Sequence, residues 1–446
     1  MVLPTKNTVI TSGDLALTVN LKGNPKTASP SPLQWLGSFF DIIFPTVTFI
    51  VCSGIFSRFG ALDPLAWLVV YAITAYQIVN NFELFAKTAI ESWVILVVPI
   101  MTLISTYWSA AQMHTFSVSI QFVYTTIIAI WMGAAYSPYK IFSGLCIAAG
   151  IGVIASGVNA YVQIIDAYSS YDGFFIGIYS HKNVLGRIIV LLSISLFLLG
   201  IKSKRPVVFI LLGSLVVLLY IPLSFAESAT SLLMYLVVFS IPVIWVVANT
   251  KDSIRLIVVL GSVGMALFAF AILLVVDIDL VDQLLGKLGK DSTLTGRTFI
   301  WSVGWQMFEW KPILGVGFDA FWHAGTFDDV RRIYLAYGDT INGFHNAFIE
   351  VLVSLGLVGE AAFVITLLVV LFKVSSWFFL SRSIESLSAL FVISIILLTS
   401  FLEIIGFRNH DINHIMLVTL YVASLGYHKS LKDKEVKILK PDWRRV

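Results

Sequence analysis

The chain has 446 residues, of which 58% are hydrophobic and only 12% are charged. An ordinary soluble domain carries about twice that charged fraction, and a soluble fold of this size would not bury so much apolar surface. The net charge of +3 is too small to favour nucleic-acid binding. Composition therefore excludes a soluble globular enzyme and a nucleic-acid-binding protein, and it indicates an integral membrane protein.

The N-terminal segment 1–35 is polar and rich in Ser, Thr and Pro. This composition predicts a disordered cytoplasmic tail rather than a cleavable signal peptide. Apolar runs near the length of a membrane-crossing helix follow it. Twelve spans are predicted, nine in a first part of the bundle at 36–276 and three in a second part at 345–427. They lie at residues 39–56, 66–80, 93–106, 118–136, 141–161, 188–200, 207–223, 230–248, 256–276, 357–373, 384–402 and 415–427.

Lys and Arg are distributed unevenly over the segments that connect these spans. They gather in alternate connections, at residues 202–205, 251–255 and 373–382, and in a basic C-terminal tail at 428–446. The positive-inside rule then places both termini in the cytoplasm.

Two connections are long, and the parity of the spans places both outside the cytoplasm. They are a motif-bearing loop at 163–187 and a large loop at 277–344. A long loop in a membrane protein is usually functional or disordered. The four tryptophans of the large loop predict an ordered structure with helices along the membrane surface.

The first polar cluster is His181-Lys182-Asn183, with Arg187 following four residues after Asn183. An imidazole, an ammonium, an amide and a guanidinium at the outer mouth of a helix suit a pyrophosphate or sugar head group at the membrane interface. The alternative interpretation is a set of snorkelling and capping side chains at the start of a helix.

The second polar cluster extends along the large loop. It comprises Thr295-Gly296-Arg297, Leu314-Gly315-Val316-Gly317-Phe318 and Phe344-His345-Asn346-Ala347-Phe348-Ile349-Glu350. After His345 the pattern is amphipathic and runs into a span, so His345 is predicted at the start of a helix. A single histidine there is more often a cap or an interfacial side chain than a catalyst, and the glycines alone indicate only a tight turn.

The tripeptide Asp277-Ile278-Asp279 has the form of a metal-binding motif used with nucleotide sugars. Its predicted position outside the cytoplasm, where nucleotide sugars are not expected, favours a short acidic turn at the end of a span instead. We therefore predict neither a metal site nor a cofactor. Few ionisable residues fall within the spans, which disfavours a proton- or ion-coupled pump.

The order of these motifs resembles the superfamily of O-antigen ligases and Wzy-type polysaccharide polymerases. The resemblance covers residues 161–359 and extends to Gly356-Leu357-Val358-Gly359. Within it, His181-Lys182-Asn183 and Ser228-Ala229-Thr230-Ser231 are most similar to the exopolysaccharide polymerase branch. It implies an all-α polytopic integral membrane protein of GT-C-like architecture, with about 12 transmembrane helices and one large extracytoplasmic loop.

The resemblance also implies a set of site residues. Arg297 and His345 match the loop arginine and histidine on which members of the family depend, so both are expected to be catalytic. Ligases often have a second arginine after the serine that precedes the eighth span, where this chain has Ala229. That departure favours a polymerase, and Arg187, Arg331 or Arg332 is the candidate replacement. The expected substrate-binding residues are His181, Lys182, Asn183, Arg187, Asn346, Arg331 and Arg332.

The implied reaction is an inverting, metal-independent transfer of a glycan from undecaprenyl pyrophosphate to a hydroxyl of a second glycan, at the outer face of the bacterial inner membrane. Arg297, with Arg187 or Lys182, would stabilise the pyrophosphate, and His345 would accept the hydroxyl proton. The expected partners are the lipid-linked glycan, membrane lipid and a chain-length regulator, and no nucleic acid. Two alternatives stay open: a ligase that moves a finished glycan to another acceptor, and a transporter of a small solute or anion.

Overall fold

A computed structural model describes residues 32–170, 173–249, 297–323, 327–337 and 343–439. These residues form sixteen α-helices and two 3₁₀ turns, at Ile55–Arg58 and Ser105–Tyr107. The helices are α1 Pro32–Cys52, α2 Leu62–Asn80, α3 Phe82–Glu91, α4 Val94–Ile104, α5 Gln112–Ala135, α6 Pro138–Val162, α7 Lys182–Lys202, α8 Pro206–Leu218, α9 Tyr220–Ala226, α10 Ala229–Val238, α11 Ser240–Ala248, α12 Arg297–Trp310, α13 Asp328–Tyr337, α14 Ala347–Ser381, α15 Ile384–Thr399 and α16 Ile412–Leu439. The predicted span 256–276, the motif Asp277-Ile278-Asp279 and most of the N-terminal tail lie outside the described residues.

Seven helical segments of the described chain are long and apolar enough to cross a membrane. They are Leu62–Asn80, Gln112–Ala135, Pro138–Val162, Lys182–Lys202, Pro206–Ala226, Ala229–Ala248 and Ala347–Ser381. Helices α3 and α4 make an eighth if they count as one span, although they are bent by 88° relative to each other. The polytopic all-helical architecture is thus confirmed, whereas the count of twelve spans stays a prediction.

Helix α7 begins six residues before the predicted span at 188–200. The Nδ1 atom of His181 accepts the backbone N–H of Asn183 at 3.1 Å and caps the helix, which satisfies a donor that the first turn would otherwise leave free. Lys182, Asn183 and Arg187 therefore lie on a helix rather than in a loop.

Helix α7 is buried along most of its length, where it packs against α6, α8, α10 and α15. It carries Asn183 at one end and Lys202 at the other, about 30 Å apart at 1.5 Å per residue. Lys202 pairs with Glu385 at the start of α15 at 2.5 Å, and Asn183 contacts Glu403 just beyond the end of α15 at 2.6 Å. These contacts lie at opposite ends of the bundle.

A second, smaller core lies apart from the core of the bundle. Its buried members lie within residues 297–323, 327–337 and 343–355, which we call the α12–α13 subdomain. Its buried members are Ile300, Val303, Met307, Val316, Ala320, Phe321, Trp322, Val330, Ile333, Phe344 and Val353. The described part of the large predicted loop is therefore folded, as its tryptophans had indicated.

A bend at Gly356 joins this subdomain to the long part of α14. Gly356 has φ +65° and ψ −164°, a combination that only glycine adopts readily. The turn at 312–314 fits into the bend, where the backbone N–H of Leu357 donates to the carbonyl of Pro312 at 2.8 Å. A Cβ atom at position 356 would overlap the carbonyl of Ile313.

Replacing Gly356 by Ala is expected to lower the thermal unfolding midpoint in detergent, because the substitution adds backbone strain of about 1–3 kcal/mol to the overlap with Ile313. Gly213→Ala in α8 is the matched control, since nothing lies within 4 Å of a Cβ built there and alanine favours a helix. Equal midpoints for the two variants would show that the bend does not require glycine.

Candidate functional site

The carboxylate of Glu403, in the loop after α15, contacts three of the predicted site residues. Its Oε1 accepts hydrogen bonds from Nδ2 of Asn183 at 2.6 Å and from Nη2 of Arg297 at 2.9 Å. Its Oε2 lies 3.2 Å from Nδ1 of His345. Three distant chain segments therefore meet at one acidic residue, which was not among the predicted site residues.

The surroundings of Glu403 keep it ionised. Burial alone would raise its pKa, but the hydrogen bond from His345 and the positive charges of His345, Arg297 and Arg187 outweigh burial and lower the pKa to about 2. An ionised carboxylate accepts a hydrogen bond from a protonated Nδ1. When the imidazole of His345 is neutral, its single proton is therefore on Nδ1 and its Nε2 is unprotonated. That nitrogen is available to accept a proton from a substrate.

The backbone directs His345 toward Glu403. His345 has φ +50°, and α14 begins two residues later with Asn346 as its N-cap, in agreement with the predicted helix start. The side chain of Asn346 accepts the backbone N–H groups of Phe348 and Ile349. The expected substrate-binding residue Asn346 thus has a capping role in the structure.

Arg187 lies one helical turn beyond Asn183 and lines a cleft between α7, α10 and α15. Its Nη1 lies 3.8 Å from Oδ1 of Asp411. Its Nε is buried without a hydrogen-bond partner in the described part of the chain. A partly exposed guanidinium with an unused N–H donor is suited to bind an anion.

The cleft has a polar end and apolar walls. The polar residues are Asn183, Arg187, Thr230, Ser231, Glu403 and Asn413, and the apolar ones are Val190, Leu191, Met234, Val392, Ile395, Ile396 and Ile405. Thr399 completes the lining. This arrangement fits an amphipathic anion with its charged group at the polar end.

Asn183 links the N-cap of α10 to the loop after α15. Its Oδ1 accepts a hydrogen bond from Oγ of Ser228 at 3.0 Å, while its Nδ2 donates to Glu403. His181 caps α7, and the ammonium of Lys182 lies 3.7 Å from the ring centre of Phe174. Neither His181 nor Lys182 lines the cleft.

Arg331 and Arg332 lie on α13, where both are exposed. Arg332 pairs with Asp329 on the same helix at 3.1 Å, and neither arginine lines the cleft. Of the three candidates for a second arginine, the structure therefore places only Arg187 beside Glu403 and the cleft.

The loop that carries Glu403 is held in place by hydrogen bonds to α5. The amide of Asn409 donates to Gln121 at 2.6 Å, and the backbone N–H of His410 donates to the hydroxyl of Thr125 at 3.1 Å. Both acceptors belong to α5. These bonds tie segment 400–411 to the bundle and fix the position of Glu403 relative to α7.

Glu403→Gln is expected to lower stability in a pH-dependent way. Because folding lowers the pKa of Glu403 from 4.5 to about 2, its contribution is fully present above the unfolded value and is lost as the pH falls toward 2. The difference in thermal midpoint between wild type and Glu403→Gln should be present above about pH 5 and should shrink as the pH falls from about 4.5 toward 2. A difference that grows as the pH falls through this lower window would contradict the ionised assignment.

Two comparisons with known proteins bear on the family. Residues 214–364 match the family model described as O-antigen ligase, a segment that contains Arg297 and His345 and ends before Glu403. The exopolysaccharide production protein ExoQ of Rhizobium meliloti (strain 1021) is 28% identical over 319 residues, which cover 68% of this chain and 69% of that protein. These matches confirm the resemblance found in the sequence: the chain is similar to the superfamily of O-antigen ligases and Wzy-type polymerases, and within it to the exopolysaccharide branch.

Proposed function

We propose that this protein is a polymerase that joins undecaprenyl-pyrophosphate-linked repeat units into exopolysaccharide. Similarity to the O-antigen ligase family and to an exopolysaccharide production protein supports a ligase- or polymerase-type role on lipid-linked glycans. The observation that carries the proposal is the convergence of Arg297 and His345 on the carboxylate of Glu403, at the polar end of an apolar cleft.

The donor lipid would bind with its pyrophosphate near Arg187 and Arg297. A guanidinium has five N–H donors, and the contact with Glu403 involves one nitrogen of Arg297. The remaining donors of both arginines can form bidentate hydrogen bonds to phosphate oxygens. The first isoprenoid units of the carrier would lie along the apolar walls of the cleft, between α7 and α15.

The chemical step exchanges one C–O bond for another. The acceptor hydroxyl oxygen attacks the anomeric carbon, its proton passes to Nε2 of His345, and the bond from that carbon to the pyrophosphate oxygen breaks with inversion. The bonding pair leaves with the lipid pyrophosphate, whose charge Arg297 and Arg187 stabilise. Glu403 stabilises the imidazolium that forms, as a carboxylate does beside a histidine base.

The distribution of basic residues supports an orientation with the site at the outer face of the bacterial inner membrane. The end of α7 opposite the site carries Lys202 and is followed by Lys204 and Arg205, which the positive-inside rule assigns to the cytoplasm. Both termini would then be cytoplasmic. A chain-length regulator is the proposed protein partner.

Two observations favour a polymerase over a ligase. The relative in Rhizobium meliloti (strain 1021) is named for exopolysaccharide production. In addition, Ala229 stands where ligases often have their second arginine, and Arg187 on α7 occupies the cleft instead.

The experiment that separates the candidate functions is deletion of the gene in its source bacterium, followed by size analysis of surface, secreted and lipid-linked glycan. A polymerase predicts loss of long polymer while single lipid-linked repeat units persist. Long polymer that stays on its carrier lipid would indicate a ligase. Polymer of normal length and attachment would contradict both enzyme functions and leave the transporter.

A further inference from the structure

Glu350 is a buried carboxylate in the first turn of α14, with 5% of its surface exposed. Its Oε2 accepts the backbone N–H of Phe344 at 3.0 Å, and its Oε1 accepts Nε1–H of Trp322 at 3.1 Å. Trp322 precedes α13 and Phe344 follows it. One carboxylate therefore fixes both ends of the segment that carries α13.

The carbonyl of Phe344 is held as well. It accepts Nε1–H of Trp301 at 2.7 Å, and Trp301 lies one turn beyond Arg297 on α12. Both backbone polar groups of Phe344 are thus bonded to side chains of the α12–α13 subdomain. The next residue is His345, whose φ of +50° is unfavourable for a side chain and persists only where the surroundings hold it.

We propose that Glu350 is a positioning residue, which fixes the backbone at Phe344 and so directs the imidazole of His345 toward Glu403 and the acceptor hydroxyl. This role rests on the proposed function of His345. Glu350 does not line the cleft, so it acts through the backbone rather than on the substrate. Glutamine would offer a single acceptor oxygen to the two donors that the carboxylate now satisfies.

The test uses the full-length protein in lipid nanodiscs, with lipid-pyrophosphate-linked repeat units as substrate. For Glu350→Gln we expect kcat to fall by about 10- to 100-fold, the usual effect of a small displacement of a reacting group. KM for the lipid-linked donor should stay within about twofold, because Arg187 and Arg297 are unchanged. Hydrogen exchange of the peptide 343–349, measured by mass spectrometry without substrate, should become at least about tenfold faster.

Glu385→Gln is the matched control, since Glu385 is also a buried carboxylate and pairs with Lys202 at the opposite end of α7. This variant should unfold at a lower temperature than wild type and keep its kcat, its KM and its exchange at 343–349. Unchanged exchange or unchanged kcat in Glu350→Gln would overturn the positioning role. A wild type that releases no lipid pyrophosphate, while Glu350→Gln still exchanges faster, would contradict the proposed function and with it the catalytic purpose of this contact.

Discussion

Replacement of His345 by Ala is expected to reduce the turnover of lipid-linked repeat units by about 10² to 10⁴, the usual contribution of a general base. The substitution removes Nε2, the proposed proton acceptor, and leaves Arg297 bonded to Glu403. Donor binding should therefore persist while the chemical step fails. The measurement is the rate of lipid pyrophosphate release by purified protein at saturating donor.

His323→Ala is the matched control for this prediction. His323 is an exposed histidine of the same subdomain, and its ring stacks on that of His114 with the ring centres 4.3 Å apart. We expect this variant to turn over at the wild-type rate. Comparable losses in His323→Ala and His345→Ala would show that the effect comes from the subdomain as a whole and would contradict a general base at His345.

Replacement of Arg297 by Lys is expected to lower kcat by about 10² to 10³, the range found when one preorganised donor to a developing negative charge is lost. Lysine keeps the positive charge but lacks the planar set of donors with which arginine can hydrogen-bond a carboxylate and a phosphate at the same time. The KM for the donor should rise too, because Arg297 contacts the pyrophosphate before and during the reaction. Initial rates at varied donor concentration separate the two effects.

Arg332→Lys serves as the matched control. Its side chain is 69% exposed and pairs with Asp329 within α13, so the change should leave kcat and KM as they are in wild type. If Arg297→Lys retained full activity, the leaving group would be stabilised elsewhere and Arg187 would become the principal phosphate ligand.

The family resemblance predicted Arg297, His345, Asn183 and Arg187, and the structure brings these four residues around one carboxylate. Sequence motifs succeed here because each residue stands in a short, ordered pattern. Arg331 and Arg332 were candidates to replace the second arginine of the ligases, and their place in the large loop does not fix where their side chains point. The structure places both on an exposed helix.

Glu403 was missed because its role depends on contacts across long sequence distances. In the sequence it follows Phe401-Leu402 and precedes Ile404-Ile405, so it resembles an acidic residue at the end of a span. The signal was present in that setting, because a carboxylate among apolar residues at a membrane boundary is costly unless it is paired. Its partners, Asn183, Arg297 and His345, are 220, 106 and 58 residues away.

The fold, like the site, could be predicted from the sequence only in part. Apolar runs predicted the membrane helices, because their length follows from the thickness of a bilayer. The early start of α7 depends on a histidine cap, and the bend at Gly356 depends on a turn some forty residues earlier in the chain, at Ile313. Neither feature has a local hydropathy signal.

The central claim is tested most directly by incubating the purified protein, in sealed vesicles, with undecaprenyl-pyrophosphate-linked repeat units and a chelator. We predict a ladder of longer lipid-linked glycans, with one lipid pyrophosphate released for each new linkage and no requirement for added metal. Repeat units that stay single in the presence of well-folded protein, or a flux of small anions without any glycan transfer, would contradict the polymerase function.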